Sequence, residues 1–410
     1  MLNDMIPFSP PHIDQKTIDE VVSVLKSGWI TTGPKTKQLE KELAKYVGVS
    51  DVLCLNSATA GLEIMLRWFG VSEGDEVIVP AYTYCATANV VLHCGAKPVM
   101  VDVGNDFNIS VAEIEKAITE KTKVIMPVDI AGFPCDYDAI NALVKSEIVR
   151  EKFTSRNDVQ KTLGRILVLA DAAHSIGAKY NSSRSGSLTD VSVLSFHAVK
   201  NLTTAEGGAV CLNLPAPFDN GQLYKDLCIK TLHGQSKDAM SKTQGSSWEY
   251  DVMEAGYKAN MPDVLAAIGL SEISRYEEDV LKKRKEIFEQ YNSSFSKNGW
   301  AQIPPWKEGA NGAEKESSYH VYALRIKGID EAKRNAIIKR IFDQGVSVNV
   351  HFKPLPLLSL YKNLGYDIQN YPVAFDNYSR EISLPVYYDL SIEQVNKVIS
   401  ATIKAVEENI

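Results

Sequence analysis

The sequence predicts an α/β protein in which helices cover a mostly parallel, seven-stranded sheet, followed by a smaller α+β unit toward the C-terminus. Short runs of Val, Ile and Leu alternate with amphipathic helical segments, which is the pattern of βαβ units. A chain of 410 residues also exceeds one typical hydrophobic core, so a second unit is expected. We therefore predict a large domain at 1–260, connecting helices at 261–296 and a small domain at 297–410.

The first half of the chain supplies the predicted sheet. Each strand is a short apolar run bounded by polar or turn-forming residues, and each helix has apolar residues three or four positions apart. The predicted strands are Val52–Leu55, Glu76–Pro80, Lys97–Val103, Lys123–Asp129, Ile166–Ala170, Val191–Ser195 and Gly208–Leu212. The predicted helices are 14–27, 36–47, 59–69, 84–93, 111–118 and 136–147. The polar stretch 148–164 is longer than an ordinary connection, which indicates a surface insertion.

The second half of the chain predicts the connecting helices and the C-terminal unit. Helices are expected at 262–273 and 275–296, where they join the sheet to that unit. The predicted elements of the unit are strand Tyr319–Ile326, helix 330–343, strand Val346–Val350, a Pro-rich loop at Lys353–Leu357 and a final helix from about 391.

The overall composition argues against several classes of function. The formal net charge is −7 without a block of like charges, so nucleic acid is not an expected partner. The first residues do not resemble a signal peptide, and no apolar run approaches the roughly 20 residues that cross a membrane. The six cysteines are scattered, mostly in apolar stretches, which is typical of reduced thiols in a cytoplasmic protein. No metal is expected, since no His or Cys residues have ligand spacing.

Lys200 and Asp171 are the strongest indication of function. Lys200 follows the strand Val191–Ser195 and precedes a turn at Glu206–Gly208, and Asp171 comes directly after the strand Ile166–Ala170. Ligands bind beyond the carboxyl ends of strands in such sheets. There, an amine can form a Schiff base with pyridoxal 5'-phosphate (PLP), and a carboxylate can pair with the pyridine nitrogen. The alternatives are a solvated surface lysine and an aspartate that caps a helix.

Further residues beside the predicted strands suit a PLP site. Ala58 and Thr59 begin a helix, where backbone N–H groups and the helix dipole favour a phosphate group, and Ser195 offers a hydroxyl to the same group. Tyr84 can stack on the pyridine ring, and His174 can lie over the other face or contact the ring hydroxyl. The alternatives are an ordinary helix cap, a packed tyrosine and a packed histidine.

Several motifs together resemble one protein family. They are Gly28–Pro34, Ser57–Ala60, Gly74–Pro80, Asp171–His174, Ser195–Asn201 and Gly256–Met261. The chain resembles, from Pro7 to near the C-terminus, the fold-type-I PLP aminotransferases that act on nucleotide-linked keto-sugars. The first and fifth motifs are similar to the branch that forms 4-amino-4-deoxy-arabinose. The resemblance implies an aspartate-aminotransferase-like fold for the large domain.

The resemblance also implies partners and residue roles. It implies a homodimer with shared active sites, in which Asn260 from the neighbouring subunit reaches the cofactor phosphate. The residues that it places near the bound sugar are Trp29, Thr31, Lys258, His320 and His351. The chain departs from many relatives at Ala259, where they have tyrosine, and at Pro356, where they have histidine. Both departures lie in regions expected to face the substrate, so they leave the sugar open.

The activity implied is transfer of an amino group from glutamate to a nucleotide-linked keto-sugar, a UDP-4-keto-hexose or pentose, for surface polysaccharide or amino-sugar biosynthesis. Lys200 would also carry a proton between substrate and cofactor. One alternative is a sugar dehydratase of similar fold that uses pyridoxamine phosphate, although such enzymes characteristically replace the lysine with histidine. A non-catalytic sugar-binding or regulatory relative is a second alternative. A nicotinamide oxidoreductase is a third, but no Gly-x-Gly-x-x-Gly motif follows a predicted strand.

Overall fold

The computed structural model describes residues 5–237, 249–307 and 313–410. The first nine strands are β1 (Asp51–Leu55), β2 (Glu76–Pro80), β3 (Lys97–Val101), β4 (Thr122–Ile125), β5 (Leu167–Asp171), β6 (Lys179–Tyr180), β7 (Ser183–Arg184), β8 (Val191–Ser195) and β9 (Gly208–Leu212). Seven of these form one sheet in the order β1-β9-β8-β5-β4-β2-β3. Within this sheet only β9 runs opposite to the other six strands. The predicted mostly parallel sheet is confirmed, with shifted ends for β1, β3, β4 and β5.

Helices cover this sheet because its strands are apolar on both faces. In β2, Val77 and Val79 pack into one apolar cluster, whereas Ile78 packs into another on the opposite face. The helices of this part are α1 (Gln15–Ser27), α2 (Pro34–Val47), α3 (Ala58–Trp68), α4 (Cys85–His93), α5 (Val111–Ala117), α6 (Tyr137–Lys145), α7 (Glu147–Lys152), α8 (Asp158–Leu163) and α9 (Asn220–Lys230). No helix among the described residues is long and apolar enough to cross a membrane.

The predicted insertion at 148–164 is not one irregular loop, because most of it lies in α7 and α8. Ser146 caps α7, and Asn157 caps α8 through its side chain. The side chains of Asn157 and Gln160 also donate hydrogen bonds to the backbone oxygen of Phe69. Gln160 is fully buried, so this part of the segment is anchored to the body of the protein.

Two consecutive helices, α10 (Asp263–Arg275) and α11 (Lys282–Phe295), follow as predicted and are joined by a π-helical segment. The remaining strands are β10 (Ala301–Gln302), β11 (Lys315–Glu316), β12 (Tyr322–Ile326) and β13 (Glu381–Leu384). The remaining helices are α12 (Glu331–Asp343), α13 (Ser359–Asn363), α14 (Pro372–Arg380) and α15 (Ile392–Glu407). Strands β10, β12 and β13 form an antiparallel sheet, and β11 pairs with β6.

The prediction of a strand at Val346–Val350 is wrong. Val346 and Asn349 make only isolated bridges, to Ile6 and Ser383 respectively. On the side of β12 opposite β10 the pairing strand is β13, which was not predicted because its four residues form a short run without clear alternation. One apolar cluster continues from α2 and β9 into β12 and α15, so the C-terminal part packs directly on the large sheet. The domain boundaries at 260 and 297 stay predictions.

Candidate active site

A cavity of about 380 Å³ lies at the carboxyl ends of β5 and β8. It collects most of the residues that the sequence analysis assigned to a cofactor or substrate. The predicted residues that line it are Ala58, Thr59, Tyr84, Asp171, His174, Ser195, Lys200, His320 and His351. The structure thus brings together residues that are up to about 290 positions apart in the chain.

The sheet places Asp171 and Lys200 on the same cavity. Asp171 is the last residue of β5 and pairs with Val193 of the parallel strand β8, so both strands end at one edge. After β8 the chain makes a turn in which the backbone N–H of Lys200 donates to the oxygen of His197 at 2.9 Å. Parallel pairing and one turn therefore give the carboxylate and the amine a common opening.

Asp171 is buried and accepts two hydrogen bonds. Its Oδ2 atom accepts from the Thr87 hydroxyl at 2.8 Å, and its Oδ1 atom accepts from the backbone N–H of Ala173 at 3.2 Å. Burial raises the pKa of Asp171, whereas these two bonds and the charge of Lys200 act in the opposite direction. A carboxylate oxygen has two lone pairs, so the group can still accept from a cationic N–H in the cavity.

The amine of Lys200 loses its proton at a pH much closer to neutral than the amine of an ordinary lysine does. Burial lowers its pKa to about 8, although the charge of Asp171 opposes part of the change. An amine must be uncharged to attack a carbonyl or to accept a proton, so the lowered pKa favours both functions.

The start of α3 forms a cradle for an anion. Ser57 caps the helix by accepting from the backbone N–H of Ala60 at 3.1 Å, while the first N–H groups of a helix have no partner within it. Gly208 approaches this turn so closely that a Cβ atom there would lie 2.3 Å from the backbone nitrogen of Ala58. The absence of a side chain at Gly208 thus allows β9 to approach the first turn of α3.

The remaining wall of the cavity is aromatic and carries neutral imidazoles. The ring of His174 lies 4.5 Å from that of His320 and 5.7 Å from that of Phe352, measured between centroids. Burial holds the pKa of His174 and of His320 well below the usual range, and the charge of Lys200 contributes to both shifts. Burial also lowers the pKa of His351 to about 4. These rings are uncharged at neutral pH, so they offer hydrogen bonds and flat surfaces rather than charge.

Tyr84 lines the same cavity but remains 59% exposed in the single chain. It occupies the cap position of α4, and its ring centroid lies 5.7 Å from that of Phe352. Stacking of this ring on a pyridine stays a prediction.

Four predicted residues, Trp29, Thr31, Lys258 and Asn260, do not line this cavity. Asn260 forms an isolated bridge with Leu55 at the end of β1, so it lies outside the cavity wall. Its side chain accepts from Nζ of Lys258 at 2.5 Å and donates to the hydroxyl of Thr32 at 2.5 Å. Thr32 of the Trp29–Pro34 loop, Lys258 and Asn260 therefore form a separate hydrogen-bonded cluster outside the cavity.

Several neighbours of the predicted site residues were not predicted from the sequence. Thr87 follows Thr83 by four residues, and their hydroxyls are 3.0 Å apart, so helical spacing beside Tyr84 was an available signal for it. Phe352 directly follows His351, and only the folded chain reveals that it lines the cavity. Asp129, which binds Tyr137 and Ser175 through its carboxylate behind Asp171, had no sequence signal beyond a strand end.

The residues of the cavity fit PLP. A buried carboxylate can hold a pyridinium, an amine of lowered pKa can take the aldehyde, and an N-terminal helix turn cleared by a glycine can take the phosphate. The fold and this constellation define the class of fold-type-I PLP enzymes. Among the described residues, no group of three or more His, Cys, Asp or Glu is arranged to hold a metal ion.

Comparison with known proteins gives the family. A model of the DegT/DnrJ/EryC1/StrS aminotransferase family matches residues 11–150 and 154–403, and the chain belongs to that family. The solved structure called "Putative sugar aminotransferase Spr1654 from Streptococcus pneumoniae, PMP-form" is 46% identical, with a TM-score of 0.94 over 99% of this chain and 100% of that one. Its PLP-form gives 44% identity and a TM-score of 0.92 over the same shares of the two chains.

Two relatives of the chain have names that state a biosynthetic process or a reaction. The spore coat polysaccharide biosynthesis protein SpsC of Bacillus subtilis is 35% identical over 97% of this chain and 96% of its own. The UDP-4-amino-4-deoxy-L-arabinose–oxoglutarate aminotransferase of Shewanella sediminis is 33% identical over 98% of both chains. The chain is thus a PLP-dependent sugar aminotransferase.

Proposed function

We propose that this sugar aminotransferase moves an amino group from glutamate to a nucleotide-linked keto-sugar, with a UDP-4-keto-hexose or pentose as the favoured acceptor. The observation that carries the proposal is the shared cavity of Lys200 and Asp171, with the pKa of the amine lowered to about 8. The relative from Shewanella sediminis, whose name specifies a UDP-linked amino-sugar and oxoglutarate, supports the two substrates. SpsC supports a place in polysaccharide biosynthesis.

Bound in this cavity, PLP would supply an electron sink for the carbon from which a proton is removed. Asp171 would hold the ring nitrogen in its protonated form, because a buried carboxylate without a cationic partner is unfavourable. Lys200 would accept a proton from the donor substrate and return it, since its amine is largely uncharged above pH 8. Ala58, Thr59 and Ser195 would hold the phosphate group.

The remaining assignments concern the rings around these groups. Tyr84 and His174 would lie against the cofactor ring, since both line the cavity. His320 and His351 would contact the sugar substrate, because their neutral imidazoles can donate to and accept from hydroxyl and phosphate oxygens.

The active unit that we propose is a homodimer with shared sites. Asn260, Lys258, Trp29 and Thr31 lie outside the cavity of their own chain, as expected for residues that serve the partner's site. Ile30 beside them is 53% exposed, and burial against a second copy would remove this apolar surface from water. We place the enzyme in the cytoplasm, since all six cysteines are free thiols.

Complementation tests the shared sites. Lys200→Ala and Asn260→Ala proteins are mixed after partial unfolding and refolded together. In a mixed dimer one site carries both substitutions and the other carries neither, so the mixture should regain activity that neither variant has alone. Size-exclusion chromatography with light scattering measures the assembly. A monomer, or a mixture with no more activity than the separate variants, would contradict the shared-site arrangement.

The reaction itself is tested with a panel of acceptors. The PLP-loaded enzyme is incubated with glutamate and UDP-, dTDP- or GDP-linked 4-keto or 3-keto sugars, and mass spectrometry follows the products. We expect an amino-sugar together with 2-oxoglutarate, most rapidly from a UDP-4-keto-sugar. A deoxygenated keto-sugar would instead indicate a dehydratase, and the absence of product from every acceptor would reject the proposed substrate class.

A further inference from the structure

A chain of hydrogen bonds runs from the cavity wall to a carboxyl group inside the protein. His351 lines the cavity, and its Nδ1 atom lies 2.9 Å from the hydroxyl oxygen of Ser383. That hydroxyl lies 2.5 Å from Oε1 of Glu381, and Oε2 of Glu381 accepts from the backbone N–H of His351 at 3.1 Å. Imidazole, hydroxyl and carboxyl therefore form a closed ring of contacts anchored on β13.

The imidazole of His351 is fixed in this arrangement. The Tyr82 hydroxyl donates to the backbone oxygen of His351 at 2.6 Å, and the ring of Phe8 stacks on the imidazole with centroids 5.4 Å apart. Asn349 bridges Ser383 through the backbone, which holds the two segments in register. Because Nδ1 is engaged by Ser383, Nε2 is the ring nitrogen left for a ligand, and the described residues give it no hydrogen-bond partner.

The protonation state of Glu381 determines which group donates and which accepts in every hydrogen bond from Glu381 to His351. If Glu381 is ionised, Ser383 donates to it and accepts from the Nδ1–H of His351, so Nε2 is an acceptor. If Glu381 is protonated, its O–H donates to Ser383, whose hydroxyl donates to Nδ1, and Nε2 carries the proton. The backbone N–H of His351 is satisfied in both states, because it bonds to the other carboxyl oxygen. The same contacts therefore support two opposite polarities.

We infer that Glu381 and Ser383 are positioning residues that decide which nitrogen of His351 carries the proton, so that Nε2 donates a hydrogen bond to an oxygen of the bound sugar substrate. The last clause rests on the proposed function, whereas the control of the imidazole proton does not. Keto, hydroxyl and phosphate oxygens of a nucleotide-linked keto-sugar all accept such a bond. Nε2 of His351 therefore suits these substrate oxygens better as a hydrogen-bond donor than as an acceptor.

The surroundings of Glu381 favour the protonated state. Its side chain is fully buried, and burial raises its pKa to about 8. Hydrogen bonds from Ser383 and from the backbone of His351 lower that pKa, and so do the guanidinium groups of Arg334 on α12 and Arg325 on β12. Neither arginine forms an ion pair with the carboxylate among the described residues. Burial also keeps the nearby Tyr82 phenol and the His351 imidazole uncharged at neutral pH.

Two substitutions distinguish control of the imidazole proton by Glu381 and Ser383 from a purely structural role of these two residues. In Glu381→Gln the amide N–H₂ donates to Ser383 and the amide oxygen accepts from the His351 backbone, which fixes the donor state of Nε2 at every pH. Ser383→Ala breaks the chain. Ser379→Ala is the matched control, because Ser379 is also a buried serine but bonds to the backbone oxygen of Asp376.

Nitrogen NMR of the PLP-loaded enzyme labelled with ¹⁵N-histidine reads the imidazole directly, with His351→Gln used for assignment. We expect the wild-type proton on Nε2 at pH 7 and its transfer to Nδ1 as pH rises through about 8. Glu381→Gln should keep it on Nε2, Ser383→Ala should abolish the pH dependence, and Ser379→Ala should match the wild type. A wild-type proton on Nδ1 at pH 7, or a titration unchanged in Glu381→Gln, would overturn the inference.

The two half-reactions show whether the imidazole acts on the sugar. Above about pH 9, where Glu381 of the wild type is ionised, Glu381→Gln should have a KM for the keto-sugar about tenfold lower than that of the wild type, the effect of one hydrogen bond, and should leave the glutamate half-reaction within about twofold. Equal effects on both half-reactions would contradict a sugar contact. If the NMR result is as expected but the wild type aminates no keto-sugar, the proposed function fails while the control of the proton stands.

Discussion

Two walls of the cavity are built in different ways. The first, which we call the sheet wall, consists of Ala58, Thr59, Asp171, Ser195 and Lys200, all at or beside the ends of sheet strands. The second, the loop wall, consists of His320, His351 and Phe352, which lie in irregular segments outside the large sheet. The sheet wall carries an acid and a base of shifted pKa, whereas the loop wall carries neutral rings.

This difference leads us to assign the cofactor chemistry to the sheet wall and the recognition of the sugar to the loop wall. Parallel pairing fixes the relative position of the strand ends, so the sheet wall can hold a cofactor in one orientation. The loop wall depends on individual hydrogen bonds, such as those of His320 to Asn201 and of His351 to Ser383. We therefore expect substitutions in the sheet wall to affect every substrate, and substitutions in the loop wall to affect the sugar selectively.

Replacing the amine of the sheet wall should have the largest effect. Lys200→Ala removes both the covalent attachment of PLP and the proton carrier, so we expect transamination to fall by at least about 10³-fold. Circular dichroism should show an unchanged fold. Turnover by this variant within about tenfold of the wild type would reject the catalytic role of Lys200.

Neutralising the acid of the sheet wall should have the next largest effect. Asp171→Asn keeps the shape but loses the negative charge, and the amide nitrogen that replaces one carboxylate oxygen cannot accept the hydrogen bond which that oxygen accepts from Thr87 or Ala173. Rates of both half-reactions should therefore fall about 10²- to 10³-fold. Asp129→Asn is the matched control, because Asp129 is a buried carboxylate that bonds to Tyr137 and Ser175 rather than facing the cavity. It should lower the melting temperature more than the rate. Equal rate losses in the two variants would assign Asp171 a structural role only.

Filling the cradle at α3 should weaken cofactor binding without removing the chemistry. Gly208→Ala forces a Cβ atom to within 2.3 Å of the backbone nitrogen of Ala58, so the first turn of α3 must move. We expect the Kd for PLP to rise at least about tenfold, measured by fluorescence titration of apoprotein. Gly299→Ala, where a Cβ atom meets nothing within 4 Å, should bind as the wild type does. Unchanged affinity in Gly208→Ala would show that the cradle does not hold the phosphate.

The smallest expected effect is on the stability of the protein without PLP. The pKa of Lys200 in the folded protein, about 8, lies below its ordinary value of 10.5, so between these values the unfolded chain binds more protons. The contribution of this position to stability is unfavourable below pH 8 and the penalty disappears as pH rises toward 10.5. Lys200→Met should therefore stabilise the apoprotein at pH 7 by at most about 3 kcal/mol, and by less at pH 10.

Urea unfolding of both proteins at several pH values measures this difference. Lys339→Met, in which an exposed lysine is replaced, serves as the control and should leave the pH dependence unchanged. A gain from Lys200→Met that does not shrink with rising pH would show that the lysine is not held in an unfavourable charged state.

The sequence predicts the sheet wall far better than the loop wall. Asp171 and Lys200 follow apolar runs that mark strand ends, and those runs alone place both residues at one edge of the sheet. The four-residue spacing of Thr83 and Thr87 is visible in the sequence, but the contact of Thr87 with Asp171 depends on tertiary packing, which the sequence pattern does not show. Glu381 and Ser383 belong to β13, a strand of four residues that local pattern does not reveal.

His320 and His351 were predicted, but Phe352 and the contacts that hold this wall together were not, for a further physical reason. Its residues act through contacts between distant parts of the chain, such as Tyr82 with His351, and single-sequence patterns contain no information about such pairs. The failed strand at Val346–Val350 shows the same limit, because its apolar alternation satisfies two isolated bridges rather than a ladder.

Reductive trapping tests the central claim, that Lys200 and Asp171 hold PLP between them, most directly. The PLP-loaded enzyme is treated with borohydride, digested and mapped by mass spectrometry, with Asp171→Asn treated in parallel. We predict a phosphopyridoxyl group on the peptide that contains Lys200 and on no other peptide. In Asp171→Asn we predict attachment at the same lysine, with an altered absorption spectrum before reduction. Attachment at a different lysine, or no attachment at all, would contradict the account.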